Sequence, residues 1–519
     1  MPLRLLTRTH FTEGIKPAYA PHAISPRALW DARNVDVDEV GTLTIRAGSV
    51  SVAPSLGQGA VQGMISAFNT LLIVWDKSLY KLVGSAWVAI RRNFLPVDTP
   101  VTMVRWTWEG EEVVYLLAGN GVWRANLNSC ILPTPYVPEP GEDENLLLAN
   151  EGGQDPASDI FQARIALLRP GYSSRMALAH NNRLYLSDPD DPTYWPSEQF
   201  IQLPSDGGRI VGLAMRYESL IVLRDRDIWA IHGSDWSSGA TTLPKVVLQD
   251  SSVGCVAERS ITAVPKVGLV FLGPDNVYAL RGVAGVEDQI QATPIGDDIK
   301  PYLERAMNPG YESACGYYHD REYYLCFPQA VEPEKVFRLK TAPPSWFCDT
   351  APLASQYAVH NDELYAASPL RGIVRKRTGL LDDGRQMTWM ASFPHEELSP
   401  GPARIKRIFV YLTTTRTMQH IDATVIADGQ EMQSIELAIA GTAGADMVIG
   451  ESAIGVGAIG RTSEIRVYEG RVNLRGHFAQ VQVRGTAPDE KIGIIGYALA
   501  YRPKRRAKGI RQGVTRYDH

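Results

Sequence analysis

Thr70-Leu71-Leu72-Ile73-Val74-Trp75, a turn at Asp76-Lys77-Ser78, then Leu79-Tyr80-Lys81-Leu82: this stretch decides the fold. A short apolar run is followed by a polar turn and a second short strand that opens on bulky residues. β-Branched and aromatic side chains fit a pleated, half-buried surface. Asp-rich and Asn-Gly turns tolerate the φ angles that a tight hairpin needs. The stretch predicts a β-hairpin.

The unit recurs along the chain. Residues 113–117 turn at Gly119-Asn120-Gly121 into 122–125, and residues 184–187 turn through Asp188-Pro189-Asp190-Asp191-Pro192 to Tyr194-Trp195. Residues 220–223 lead to 228–231, 269–272 to 277–280, 323–327 to 336–339, and 363–366 to 372–374. The spacing is about 35–55 residues with one gap of roughly 70, which is the signature of four-stranded propeller blades. The units predict an all-β protein whose main body is a β-propeller of six to eight blades over residues 51–384. Residues 1–50 are expected to join that propeller as an N-terminal segment. The long gap holds an insertion, residues 133–170, whose Pro-, Gly- and acid-rich part reads as a surface loop.

One segment breaks the β pattern. Residues 297–307 read as a short helix, with Asp297 or Asp298 as cap and Pro301 near the first turn. Ile299, Tyr302, Leu303 and Met307 share one face of it. From Arg385 the hairpin repeat gives way to alternating strands at 387–392, 404–412, 421–427, 433–438, 464–468, 478–484 and 493–501. Regular short strands with turns such as Asp428-Gly429 predict an antiparallel, sandwich-like domain over 385–501. A basic tail, 502–519, follows.

Composition narrows the function. Of 519 residues, 45% are hydrophobic and 21% charged, which is ordinary for a globular protein. The net charge of −5 does not suggest a nucleic-acid coat. Five cysteines, none spaced C-x-x-C, are too few for a disulfide scaffold and read as buried free thiols of a protein made in a reducing cytoplasm. The N-terminus lacks the apolar core of a signal peptide, and no apolar run is long enough for a membrane-spanning helix.

A search for chemistry returns turns instead of sites. Gly455-Val456-Gly457-Ala458-Ile459-Gly460 matches G-x-G-x-x-G, but the next segment reads as a strand, and Gln480 stands where a dinucleotide site needs an acid. Residues 187–195 resemble the Asp-box of sialidase-type propellers, with one residue too many and the glycine missing. Its carboxylates could take Ca²⁺, since hard cations favour clustered oxygens, although an Asx/Pro turn explains them as well. No G-x-S-x-G, H-E-x-x-H or Walker loop occurs. The histidines, among them His180, His232, His319 and His360, are scattered, which argues against zinc. No catalytic residue, cofactor or metal is therefore expected. The remaining candidate is the dense basic run Arg502, Lys504, Arg505, Arg506, Lys508 and Arg511, a possible contact for DNA phosphate or an acidic partner.

Several stretches, taken in order, resemble a known family. They are Ala32-Arg33-Asn34-Val35 with Gly41-Thr42-Leu43 and Arg46-Ala47-Gly48; Asn182-Arg183-Leu184-Tyr185-Leu186-Ser187 with Tyr194-Trp195-Pro196; Ser252-Val253-Gly254-Cys255 with residues 268–272; and Pro343-Pro344-Ser345-Trp346. Together they are similar to the tail hub and tail nozzle proteins of short-tailed phages, the DNA-stabilisation and tail tubular B group. The resemblance covers most of residues 30–380 and is weaker over the C-terminal domain. It implies a non-enzymatic virion protein, made in the host bacterial cytoplasm and assembled as a homohexameric ring below portal and adaptor. Such a ring retains the packaged genome and then provides the channel for DNA ejection. The implied partners are further copies of the chain, the head-to-tail adaptor ring, tail needle, fibre or spike proteins, and the viral double-stranded DNA. The competing expectation is a carbohydrate-binding or glycan-cleaving propeller, such as a tail adhesin or a sialidase-like enzyme.

Overall fold

The computed structural model describes residues 2–38, 40–169, 174–204, 208–233, 245–250, 252–282, 290–331, 335–399, 401–413, 419–439, 465–487 and 492–504. The chain divides into two compact units, residues 47–384 and residues 1–46 together with those from 385 onward.

The first unit is a β-propeller of seven four-stranded antiparallel sheets. Blade 1 runs Val61–Ala67, Thr70–Trp75, Ser78–Val83, Ala86–Arg91. Blades 2 to 6 follow in chain order, with first strands Thr102–Trp108, Ile165–Arg169, Ile210–Arg216, Thr262–Val264 and Cys315–His319. Blade 7 takes Gln356–His360, Glu363–Ala367 and Val374–Arg377 from one end of the unit. Its fourth strand, Ser49–Ser51, comes from the other end, with Arg375 opposite Ser51 and Arg377 opposite Ser49. The ring is thus closed by a strand contributed from the start of the unit, which leaves no open edge between last and first blades.

The apolar runs that predicted the hairpins explain how the blades pack. In the second strand of blade 1, Leu72 and Val74 pack with Val114 and Leu116 of blade 2, while Leu71 and Ile73 pack with Ala358 and Tyr365 of blade 7. In blade 4, Leu220 and Val222 face blade 3, and Ile221 and Leu223 face blade 5. Successive side chains point to opposite faces of a sheet, and here both faces are covered, so an unbroken apolar run replaces alternation. Each such side chain contributes about 1.5–3 kcal/mol by its burial.

The Asp-rich turn of blade 3 is a folding element. Ser187 Oγ accepts from the Met176 amide at 2.9 Å, and Asp191 Oδ1 accepts from the Thr193 amide and hydroxyl at 2.8 and 2.6 Å. Trp195 is fully buried and donates its indole N–H to the Pro192 carbonyl at 2.9 Å. Insertion 133–170 is more than a surface loop. Leu147, Ile160 and Ala163 are fully buried against Trp195, and the segment ends in a short helix, Asp159–Gln162, and the first strand of blade 3. The helix expected at 297–307 is a 3₁₀ turn, Asp297–Ile299, running into Lys300–Met307. Neither aspartate caps it; Asp297 Oδ1 instead accepts from the Asn276 side chain at 2.6 Å.

The second unit is a sandwich of two six-stranded sheets. One carries Val35–Val37, Leu43–Ile45, Gly493–Pro503, Ala403–Thr413 and Ile465–Gly476, with Arg4–Thr9 also paired to Gly493–Pro503. The other carries Asp31–Arg33, Met387–Ser392, Phe478–Ala487, Gln419–Ala427 and Glu431–Ile439, with Glu396–Glu397 beside Phe478–Ala487. Two sequence expectations are corrected here. Residues 1–46 build the sandwich, and of residues 1–50 only Ser49 and Val50, in the strand Ser49–Ser51, enter a propeller strand. The reason is pairing: Ala32 lies opposite Ala391 and Leu43 opposite Ile494, so these three-residue strands bury Ala32, Val35, Leu43 and Ile45 only in that company. The last strand runs to Pro503, so Arg502 belongs to the sheet and not to a tail.

All five cysteines are buried and free. Burial pushes the Cys130 and Cys255 thiols up to about 12, where the reactive thiolate is scarce. We expect no labelling by a thiol reagent at pH 8 in the folded protein and reaction at five sites after denaturation. Rapid labelling of the native chain would contradict this packing.

Candidate functional site

Two places gather charge. The first is the propeller axis, at the end where the chain enters each first strand. A cavity of about 640 Å³ is lined there by Gln62, Thr99, Arg164, Arg209, Glu258, Arg259 and Glu312, among others. That size suits a small molecule.

Its floor is built by the 3₁₀ turn Glu258–Ser260, just before the first strand of blade 5. Arg259 donates to the Ser355 carbonyl at 3.0 Å and to the Gln62 carbonyl, reaching blades 7 and 1. Glu258 accepts from Arg164 at 3.0 Å and from Thr102 at 3.3 Å, reaching blades 3 and 2. Two adjacent side chains thus tie blade 5 to four others. Arg259 also lines a second cavity of about 430 Å³ between the first strands of blades 5, 6 and 7. Side chains of blade 5 thus bridge to blades 1, 2, 3 and 7 at this end of the axis.

Desolvation raises the Glu258 carboxyl above its ordinary 4.5, against the opposing pull of Arg164 and Arg259. Desolvation also lowers Arg259, against the pull of Glu258. An acid raised in the folded state binds protons there that the unfolded chain has lost, so its ionisation costs stability as pH rises above 4.5. Glu258→Gln has no such cost. The melting temperature of that variant minus that of the natural chain should rise as pH goes from 4.5 toward 7. A difference independent of pH would contradict this account of Glu258.

The second place is the outward face of the sandwich sheet that ends in Arg502. Arg404 lies directly opposite Arg475 on one side and Arg502 on the other, so three arginines form one row across three adjacent strands. Further along, past a bulge between Ile405 and Arg407, Arg407 lies opposite Arg471. Alternation sets their direction. Ile405, Ile408, Val472 and Leu474 are buried, while Arg407, Arg471, Arg475 and Arg502 are exposed and Arg404 is half-buried. The described carboxylate engaged there is Glu469, 2.8 Å from Arg407. Arg404 Nε donates to the Asn473 side chain at 2.8 Å.

Of the sequence candidates, Arg502 stands in this row, and Lys504 follows it, exposed, with its amide donating to the Pro402 carbonyl at 3.1 Å. Arg505, Arg506, Lys508 and Arg511 lie outside the described residues, as does the Gly455–Gly460 stretch. Sequence reading missed Arg404, Arg407, Arg471 and Arg475. Arg471 and Arg475, four apart, have the spacing of one shared face, but Arg404 and Arg407, three apart, share it only through a bulge between Ile405 and Arg407, and the meeting of the two strands depends on a register set roughly 70–100 positions apart, which periodicity does not supply.

The histidines do not converge. His232 Nδ1 lies 2.7 Å from Ser219 Oγ, His360 Nδ1 lies 3.0 Å from Ser66 Oγ, and His180 Nε2 lies 3.8 Å from Asp159. Among the described residues no group of three or more His, Cys, Asp or Glu side chains is placed to hold a metal, and no helix is long and apolar enough to cross a membrane.

No family model matches the chain, and no curated protein does. Solved structures are similar in shape only. The extracellular domain of a candidate one component system from B. thetaiotaomicron is 8% identical with a TM-score of 0.41, matching 75% of this chain and 47% of its own. The chain thus spans under half the length of that structure. YCF48 from Cyanidioschyzon merolae is 8% identical with a TM-score of 0.38, over 64% of this chain and 99% of its own. The Pan2 WD40 domain of Neurospora crassa is 11% identical with a TM-score of 0.32, over 64% and 95%. Scores this low carry no argument about function.

Proposed function

We propose that this chain is a non-enzymatic structural protein of a short-tailed phage tail, a ring-forming hub or nozzle that retains the packaged genome and surrounds the path of its ejection. The observation that carries the reading is where the residues of the family resemblance sit. Asn34, Arg46, Gly48, Trp195, Gly254 and Trp346 among them bear on the framework.

In the sandwich unit, the Asn34 side chain accepts from Arg46 Nε at 2.9 Å and donates to the Thr388 carbonyl at 2.8 Å, and Arg46 is 1% exposed. In the propeller unit, Gly48 lies against Leu381, where a Cβ would stand 2.2 Å from the carbonyl oxygen. Gly254 lies against Asp225 in the same way, at 2.1 Å from its carbonyl carbon. Trp195 and Trp346 are buried, and Trp346 donates to the Ile295 carbonyl at 2.7 Å. Residues that hold the framework suit a ring component, which works through its shape.

The side chains bridging the axis suit this reading, because DNA would then pass through a ring of several copies and not through one propeller. The 640 Å³ cavity favours a second reading, a carbohydrate-binding or glycan-cleaving propeller, since small-ligand sites have this size. Negative-stain images of the purified chain, alone and with its adaptor ring, separate the two when paired with a glycan-release assay. Rings without glycan release support the tail reading. A monomer that releases sugar would overturn it.

A further inference from the structure

We propose that the outward face of the sandwich sheet, at the end carrying Arg404, Arg475 and Arg502, docks the phosphate backbone of duplex DNA. The identity of that DNA as a packaged genome rests on the tail reading; the docking itself does not.

Like charges directly opposite on neighbouring strands are destabilising, by about 0.2–1 kcal/mol per pair. This sheet sets Arg404 between two such neighbours and adds a third pair, Arg407 opposite Arg471. Only Arg407 has a described carboxylate in contact. The face therefore carries an excess of positive charge that an anion would relieve.

Geometry selects the anion. The row across three strands spans about 10 Å, and the two rows lie roughly 10 Å apart along the strands. An area of that size meets several phosphates on either side of a duplex groove, about 6 or 12 Å wide, and is larger than a single small anion needs. The planar guanidinium forks suit phosphate oxygens. Lys504, two residues past Arg502 and exposed, adds a further positive charge at this edge.

The strength expected is modest. Arg404, Arg471, Arg475, Arg502 and Lys504 give at most about five contacts, each adding about −0.9 to the slope of log affinity against log salt. A chain of net charge −5 adds no general attraction. Such a grip holds DNA at low salt and lets it go readily, which suits a channel that must retain and then release.

The test uses the full chain and a fluorescein-labelled 20-base-pair duplex of arbitrary sequence. Anisotropy is followed from about 50 to 200 mM salt, and native mass is measured in parallel. The natural chain should bind with a log–log slope between about −3 and −5. R404E/R475E should weaken binding by about 10-fold or more and make the slope shallower by about 2. R92E/K266E, which reverses two exposed propeller charges, should change neither. R404Q/R475Q, milder for folding, should fall between the natural chain and the reversal.

Absence of binding by the natural chain at 50 mM salt would overturn the proposal. So would equal loss in the propeller control. So would a reversal that dissociates the ring while DNA affinity stays as it was, since the face would then be a contact between copies. A monomer that still binds DNA through these arginines would refute the tail reading and leave this one standing. A ring with no DNA affinity would do the opposite.

Discussion

Arg338→Ala is expected to destabilise the propeller by about 3–5 kcal/mol, the loss typical of breaking a buried ion pair from one side. Arg338 is 0% exposed on the third strand of blade 6. Its Nε donates to Asp349 Oδ2 at 2.6 Å and its Nη2 to Asp349 Oδ1 at 3.2 Å, while Nη1 reaches Glu322 at 3.1 Å. Asp349 is itself 1% exposed, on the neighbouring strand. Removing the guanidinium leaves that carboxylate buried with its cation gone, and the cost comes from the orphaned charge more than from the lost hydrogen bonds. Arg338→Lys should recover part of the loss, since an ammonium keeps the charge but cannot make the paired contact with Asp349. The measurement is a thermal melt. A drop of roughly 5–10 °C fits a unit of this size, and a drop under about 1 °C would show that the pair carries no weight.

Gly254→Ala should be comparably severe for a different reason. The connection from blade 4 to blade 5 passes so close to the Asp225–Arg226 backbone that a Cβ would lie 2.1 Å from Asp225 C, 2.2 Å from its oxygen and 2.3 Å from Arg226 N. All three are main-chain atoms, so no side-chain rotation relieves the overlap. Beside this contact the Cys255 amide donates to the Arg224 carbonyl at 2.8 Å, and Arg224 is buried with a bidentate bond to Asp227. The hairpin therefore cannot retreat without loosening that pair. Overpacking of this kind costs about 1–3 kcal/mol where the surroundings can shift, and more where they cannot. The expected result is a protein of low soluble yield or with a melting point at least as depressed as that of Arg338→Ala. Wild-type stability would show that the blade connection moves freely.

The propeller was legible because its signal is local. Each hairpin declares itself within about a dozen residues, and unbroken runs such as Leu71–Val74 mark strands covered on both faces. The sandwich strands from Met387 onward were legible by alternation. What the sequence hid was pairing at long range. Nothing in Asp31–Arg33 or Leu43–Ile45 says that the partners are Met387–Ser392 and Gly493–Pro503, some 350 to 450 positions away. Short strands beside a β-rich body were therefore assigned to that body.

The helix cap failed for a related reason. Asp297 had a nearer use, the Asn276 side chain, in a neighbouring turn. At the candidate site, Arg502 and Lys504 were visible as part of a basic run. The run was read as a tail because charge density in sequence does not show where a strand ends. The partners of Arg502 come from two other strands of the sheet. Glu258 and Arg259 carry no motif in the sequence, and only closure of the ring brings Gln62, Thr102, Arg164 and Ser355 within their reach.

The central claim is that copies of this chain assemble into a closed ring. Native mass spectrometry of the purified full chain, over a range of concentrations and with the adaptor ring added, measures it directly. The account predicts a species at six times 57.2 kDa, free or bound to the adaptor. A single 57.2 kDa species under every condition would contradict it.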